Sequence, residues 1–155
     1  MFRIGFGFDT HKLEEGRPFI LGGVRIPHHQ GPAGHSDADA LVHAVIDALL
    51  GAAGLPDIGS QFPDTDPAYR GIDSMELLRR THAMLQHLGY TVGNIDTTVV
   101  AQAPRLAPYV PQMKASLAAG LGIDPGQVSV KAKTSEKLGF IGREEGLSAY
   151  AIVLL

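Results

Sequence analysis

The stretch HSDADALVHAVIDALLGAAG (residues 35–54) dictates one element before anything else is known. Leu41, Val42, Val45, Ile46, Leu49 and Leu50 recur at helical spacing and so form one apolar face. Ser36, with Asp39 three residues on, reads as the N-cap, and Gly51 or Gly54 ends the helix. Opposite the apolar face, Asp39, His43 and Asp47 lie at i, i+4 and i+8 in a polar stripe. Such a helix depends on packing for its stability, so the chain must supply a partner surface.

The partner is a sheet. Residues 2–9 read as a strand, and PFILGGVRIP (18–27) as two short strands around Gly22 and Gly23. YTVGNIDTTVVAQAP (90–104), QVSVKAKT (127–134) and LSAYAIVLL (147–155) are rich in β-branched or apolar residues and read the same way. Asp73 caps a second helix over 74–89, and a shorter one spans 106–120 with Pro108 and Pro111 in it. LPDIGSQFPDTDPAYRG (55–71) holds three prolines and reads as a loop, of a length that usually serves function or motion. Helices and strands alternate only partly. We therefore expect one α+β domain over residues 1–155, a mixed β-sheet with helices packed on one face.

Composition narrows the chemistry. The net charge of −3 carries no basic surplus, which argues against a nucleic-acid partner. With no cysteine, disulfides and thiolate metal sites are excluded, so any metal must use His, Asp or Glu. There is neither a run of 18 apolar residues nor a leader-like start, so we expect no membrane contact and a cytoplasmic location.

FGFDTHKL (6–13) puts Asp9 and His11 on the same side of a strand. Two ligands hold a metal poorly, and a strand end with a turn aspartate and a surface histidine explains them equally well. His43 of the polar stripe would complete a two-imidazole, one-carboxylate set with a position left open, as catalytic zinc sites have, provided strand and helix meet. Asp47, one turn on, can orient the second ring nitrogen of His43. His35 and Ser36 sit where a helix N-terminus favours phosphate, although capping alone accounts for Ser36. In KTSEKLGFIGREEG (133–146), Thr134, Ser135, Lys137 and Arg143 offer hydroxyl and cationic donors, and Glu136 is a hard oxygen ligand for Mg²⁺ or Mn²⁺. A solvated charged loop is the bland alternative. AQAPR (101–105) is either an ordinary turn or a backbone slot for a flat base, with Arg105 toward a phosphate. His82 and His87 read as surface residues.

Placed together, GFDTHKL, LGGVRIPHHQGPAGHSDADALVHAVIDALLGAAGLPDIGSQFPDTDP, AQAPRLAPYVPQM and TSEKLGFIGREEG resemble the 2-C-methyl-D-erythritol 2,4-cyclodiphosphate synthase family along the whole chain. The resemblance implies that Asp9, His11 and His43 bind a Zn²⁺-type ion (or Mn²⁺ or Co²⁺), and that Glu136 helps hold Mg²⁺ or Mn²⁺ on a diphosphate. It implies His35, Asp57, Thr134 and Glu136 as catalytic residues. Ser36, Gly59, Asp64, Ala101, Pro104, Arg105, Leu106, Thr134, Phe140 and Arg143 are implied to contact substrate, with Phe140 also lining an apolar cavity. It further implies a homotrimer with active sites shared between subunits, acting on a small nucleotide diphosphate. Where several relatives carry a run of threonines before the glutamate, this chain has Lys133, Thr134 and Ser135. The implied reaction is attack of an internal 2-phosphate on the β-phosphorus, with CMP leaving. Residue chemistry taken by itself also admits a metal-dependent nucleotide phosphohydrolase, or a nucleotide-binding module without turnover.

Overall fold

The computed structural model describes residues 1–155. Its main sheet has the order β4-β1-β7-β5-β6, with β1 at Ile4–Glu15, β4 at Gln30–Pro32, β5 at Asn94–Val100, β6 at Val128–Lys133 and β7 at Gly146–Leu154. Only β5 and β6 run parallel, so the sheet is mixed. A separate hairpin pairs β2 (Phe19–Leu21) with β3 (Val24–Ile26). The helices are α1 (Ala40–Ala53), α2 (Ile58–Gln61), α3 (Ser74–His87), α4 (Val110–Leu121) and α5 (Gly139–Gly142). No helix is long and apolar enough to cross a membrane. The α+β expectation holds.

The alternation of β1 explains its unusual composition. Gly5 and Gly7 face α1, and a Cβ on either would lie 1.8 Å from the carbonyl oxygen of Ala48 or Ala44. Glycine therefore lets the helix backbone settle onto the strand, and Asp9 and His11 continue the same side toward His43. Helix α1 is buried on nearly every side, with Ala40, Leu41, Val42, Ala44, Val45, Ile46, Ala48, Leu49 and Leu50 fully enclosed between the sheet and α3. The alternate residues Ile4, Phe6 and Phe8 point the other way. With Tyr150 and Ile152 of β7 they form an exposed apolar face, Phe6 being 62% exposed.

Several boundaries differ from the sequence reading. The N-cap of α1 is Asp39, not Ser36, and the helix starts at Ala40. Ala38 at φ 57° breaks helical geometry before that point. The Asp39 carboxylate accepts from the Val42 N–H at 3.1 Å and from the N–H groups of Gly22 (2.8 Å) and Gly23 (2.7 Å), so one buried side chain caps the helix and clamps the hairpin to it. Gly54, left-handed at φ 75°, ends the helix. The 55–71 segment is not a plain loop: it contains α2 and a 3₁₀ turn at Pro67–Tyr69, each capped by an aspartate (Asp57 and Asp66). Asp73 does cap α3. Pro108 lies in a 3₁₀ turn and Pro111 in the first turn of α4, where neither breaks a helical hydrogen bond. β1 runs to Glu15, while β4 and α5 carry no periodicity long enough to read.

Candidate active site and metal centre

Three lone pairs converge where β1 meets α1. Nδ1 of His11 lies 2.8 Å from the Ala33 carbonyl, which can only accept, so the ring proton is on Nδ1 and Nε2 is bare. The Ser74 hydroxyl donates to Asp37, which leaves its oxygen to accept from Nε2 of His43 at 2.8 Å. His43 therefore presents a bare Nδ1. Asp9 Oδ2 stands 2.8 Å from His11 Nε2 and 3.0 Å from His43 Nδ1, and the two nitrogens are 3.3 Å apart. Acceptors packed this closely need a cation between them. A tetrahedral ion with bonds of about 2.0–2.1 Å requires ligand separations of roughly 3.3 Å, so the set fits a divalent metal with a fourth position free. In the absence of an ion a proton does the bridging. Burial opposes ionisation of Asp9, but the imidazoles of His11 and His43 beside it outweigh that and bring its pKa down to about 2. For His11 burial likewise opposes the charged form, yet the Asp9 carboxylate raises its pKa above the usual 6.5.

Asp47 does not orient His43. Its carboxylate accepts from the Ile58 N–H at 2.7 Å, which anchors α2. The orienting group is Ser74, held in turn by Asp37, and Ser36 adds a contact to the same ring nitrogen at 3.2 Å. Neither Ser74 nor Asp37 was singled out from sequence. The serine follows the cap of α3, and nothing local says that this corner lies beside residue 43.

The metal set opens onto a cleft of about 260 Å³ lined by His11, His43, His35, Ser36, Gly59 and Asp64, with Ile58, Phe62, Tyr69 and Ile72 as its apolar wall. His35 is largely exposed, its Nε2 3.6 Å from Asp64 Oδ2. Because Asp39 caps α1, His35 and Ser36 precede the helix N-terminus instead of forming it, and both line the cleft. Asp57 caps α2 through the Ser60 N–H at 2.8 Å, and hydrogen bonds from Ser60 lower its pKa.

A second groove, of about 380 Å³, gathers Pro104, Arg105, Leu106, Lys133 and Thr134. Ala101 is buried at its edge, and the Ala103–Pro104 peptide is cis. The Lys137 N–H donates to Gln102 Oε1 at 3.0 Å, which ties the loop after β6 to this groove. Thr134 Oγ1 donates to Glu136 Oε1 at 3.0 Å, and both side chains are exposed. Arg143 forms a two-pronged ion pair with Glu145, at 2.9 and 3.3 Å. Phe140 flanks a third recess beside Thr10, His11 and Lys12.

Cleft and groove share no lining residue. Thr10, Ser148, Val100 and Lys133 stand in one row across β1, β7, β5 and β6. At about 4.8 Å per strand, that row puts Thr10, between the ligands Asp9 and His11, roughly 14 Å from Lys133 of the groove in one chain.

The sequence model of the YgbB family matches residues 2–155. A 2-C-methyl-D-erythritol 2,4-cyclodiphosphate synthase from Ralstonia nicotianae is 63% identical over 153 residues, covering 99% of this chain and 91% of that one. Among solved structures, the CDP complex of Plasmodium falciparum IspF superposes with a TM-score of 0.87 at 36% identity, covering 99% of this chain and 94% of that one. The bifunctional IspDF from Campylobacter jejuni gives a TM-score of 0.95 at 44% identity, covering 99% of this chain and 42% of that longer one.

Proposed function

Since the chain belongs to the YgbB family of 2-C-methyl-D-erythritol 2,4-cyclodiphosphate synthases, phosphorus–oxygen lyases of non-mevalonate isoprenoid synthesis, we propose that it cyclises its nucleotide substrate at the β1–α1 corner. The observation that carries this reading is the meeting of three bare ligand atoms, from Asp9, His11 and His43, at the mouth of a cleft.

In this reading the 2-phosphate of a cytidine-diphosphate-linked methylerythritol attacks the β-phosphorus, and CMP leaves. A phosphate monoester has a second pKa near 6 and is already largely ionised at neutral pH, so no strong base is needed. This agrees with a cleft in which two of the three histidines, His11 and His43, are committed to ligand geometry. The difficulty is bringing two anions together. Asp9, His11 and His43 would hold a zinc-type ion, and Glu136 would help hold Mg²⁺ or Mn²⁺. When bound, these ions neutralise charge that builds on the transferring group. His35 and Ser36 donate to the phosphate, Asp57 and Gly59 fix hydroxyl groups, and Asp64, beside His35 in the cleft, contacts the substrate. Thr134 supplies a hydroxyl donor, and Arg143 exchanges Glu145 for phosphate. The backbone at Ala101, Pro104, Arg105 and Leu106 takes the cytosine.

One chain leaves the cytosine groove far from the metal, and its apolar sheet face uncovered. We therefore place the groove of one subunit against the cleft of the next in a homotrimer, with Ile4, Phe6, Phe8, Tyr150 and Ile152 toward its centre. Phe140 belongs to that apolar interior.

Reaction in ¹⁸O-labelled water tests the proposal. Cyclisation yields CMP and a cyclic diphosphate in equal amounts, neither carrying solvent oxygen. Label in a product phosphate would make the enzyme a hydrolase.

A further inference from the structure

Past His11, the end of β1 meets two other segments. Glu15 pairs with Gln30 of β4, the Gly16 N–H bonds the His29 carbonyl at 3.0 Å, and the Leu13 N–H bonds the Glu145 carbonyl at 2.9 Å. Gln30 Nε2 also donates to the Glu144 carbonyl at 3.2 Å. These bonds bring the His28–His29 pair beside the turn that carries Glu144. The two imidazole centroids are 4.4 Å apart, and one ligand atom each from His28, His29 and Glu144 lies within 4.8 Å of the others.

Two details favour a cation there over a chance cluster. Nε2 of His28 is screened from water and has no hydrogen-bond partner, although a buried ring nitrogen ordinarily finds one. The His28 ring is held edge-on against Phe19, centroids 5.8 Å apart, so it cannot readily swing away to find a partner. His29 Nδ1 meets Glu15 Oε1 at 2.8 Å, the carboxylate-backed arrangement typical of a metal-ligating histidine, and its Nε2 is left for an ion.

The geometry points to a second divalent-metal site formed by His28, His29 and Glu144, backed by Glu15 and selective for a borderline ion of the zinc class. Two imidazoles and one carboxylate suit zinc, nickel or cobalt and discriminate against magnesium and calcium. His29 and Glu144 are both exposed, so rotation of their side chains can draw the ligands to the roughly 3.3 Å spacing that a tetrahedral ion needs. The site is four residues along β1 from the first, about 13 Å in extended strand. An ion there would pin the 28–29 loop to the turn between Phe140 and Glu145.

The test is zinc content after equilibrium dialysis of the full protein against zinc chloride without substrate, read by elemental analysis. We expect two zinc ions per chain in the native protein, one in His28→Phe and one in His43→Ala. His28→Phe keeps the ring against Phe19 and should retain cyclising activity. Should it fail to fold, Glu144→Gln on the surface serves the same count. One ion per native chain, or two in a folded His28→Phe or Glu144→Gln variant, would overturn the assignment.

Discussion

The Ser74 hydroxyl accepts a hydrogen bond from Nε2 of His43 at 2.8 Å while donating its own proton to Asp37. One serine thus fixes which nitrogen of His43 faces Asp9. Ser74→Ala should weaken zinc binding at the β1–α1 corner by about 10–100-fold, the usual effect of losing such an orienting partner. Competition with a chelator measures this, and unchanged affinity would refute the role given to Ser74.

Asp39 and Ser36 make a paired test of where the helix begins. Asp39→Ala leaves the N–H groups of Gly22 and Val42 without their acceptor in the core, and that of Gly23 without one at the exposed hairpin turn. At about 1–3 kcal/mol for each buried unmet group, the loss should reach about 3 kcal/mol or more in urea unfolding. Ser36→Ala should stay within about 0.5 kcal/mol of the native protein, because Ser36 caps nothing in α1. A larger stability loss for Ser36→Ala than for Asp39→Ala would reverse the assignment.

Gly7→Ala should act on stability and metal together. Its Cβ would sit 1.8 Å from the Ala44 carbonyl oxygen, which is backbone and cannot turn aside. The helix must lift from the strand, at about 1–3 kcal/mol or more, and His43 moves with it. Thermal melting and zinc titration should fall in parallel. Zinc affinity untouched in a destabilised protein would show that the corner does not depend on this contact.

The zinc-free protein should lose stability as pH rises through neutrality. Asp9 is ionised throughout this range and raises the pKa of His11 above its unfolded value of 6.5. A raised imidazole stabilises the fold fully below 6.5, and that contribution disappears as pH climbs past the folded value. With chelator present, melting at about pH 8.5 should therefore occur at lower temperature than at about pH 6, and Asp9→Asn should flatten the difference. Zinc competes with the same proton, so its stabilising effect should be greater at the higher pH. A melting temperature that rises over this range in chelator would contradict the coupling.

Subunit sharing is open to complementation. His43→Ala and Arg143→Ala should each be nearly inactive alone. Mixed oligomers of the two should regain activity, because a cleft with native His43 can face a neighbour with native Arg143. No recovery after verified subunit exchange would place both residues in one chain's own site.

Much of this corner can be read along the chain. Period-two alternation places Asp9 and His11 on one face of β1, and helical spacing separates His43 from the apolar residues 41, 42, 45 and 46. Both follow from backbone geometry, which each residue carries locally. The same alternation contains Gly5 and Gly7, yet their purpose is visible only once α1 lies against them. Capping rules admit Ser36 and Asp39 alike, and the choice falls to Asp39 because the hairpin N–H groups of Gly22 and Gly23 need a buried acceptor. Ser74 reaches His43 from 31 residues away, and Glu144 reaches the His28–His29 loop from farther still. Such meetings are set by how the sheet and helices pack, since burial rewards contact without regard to separation along the chain.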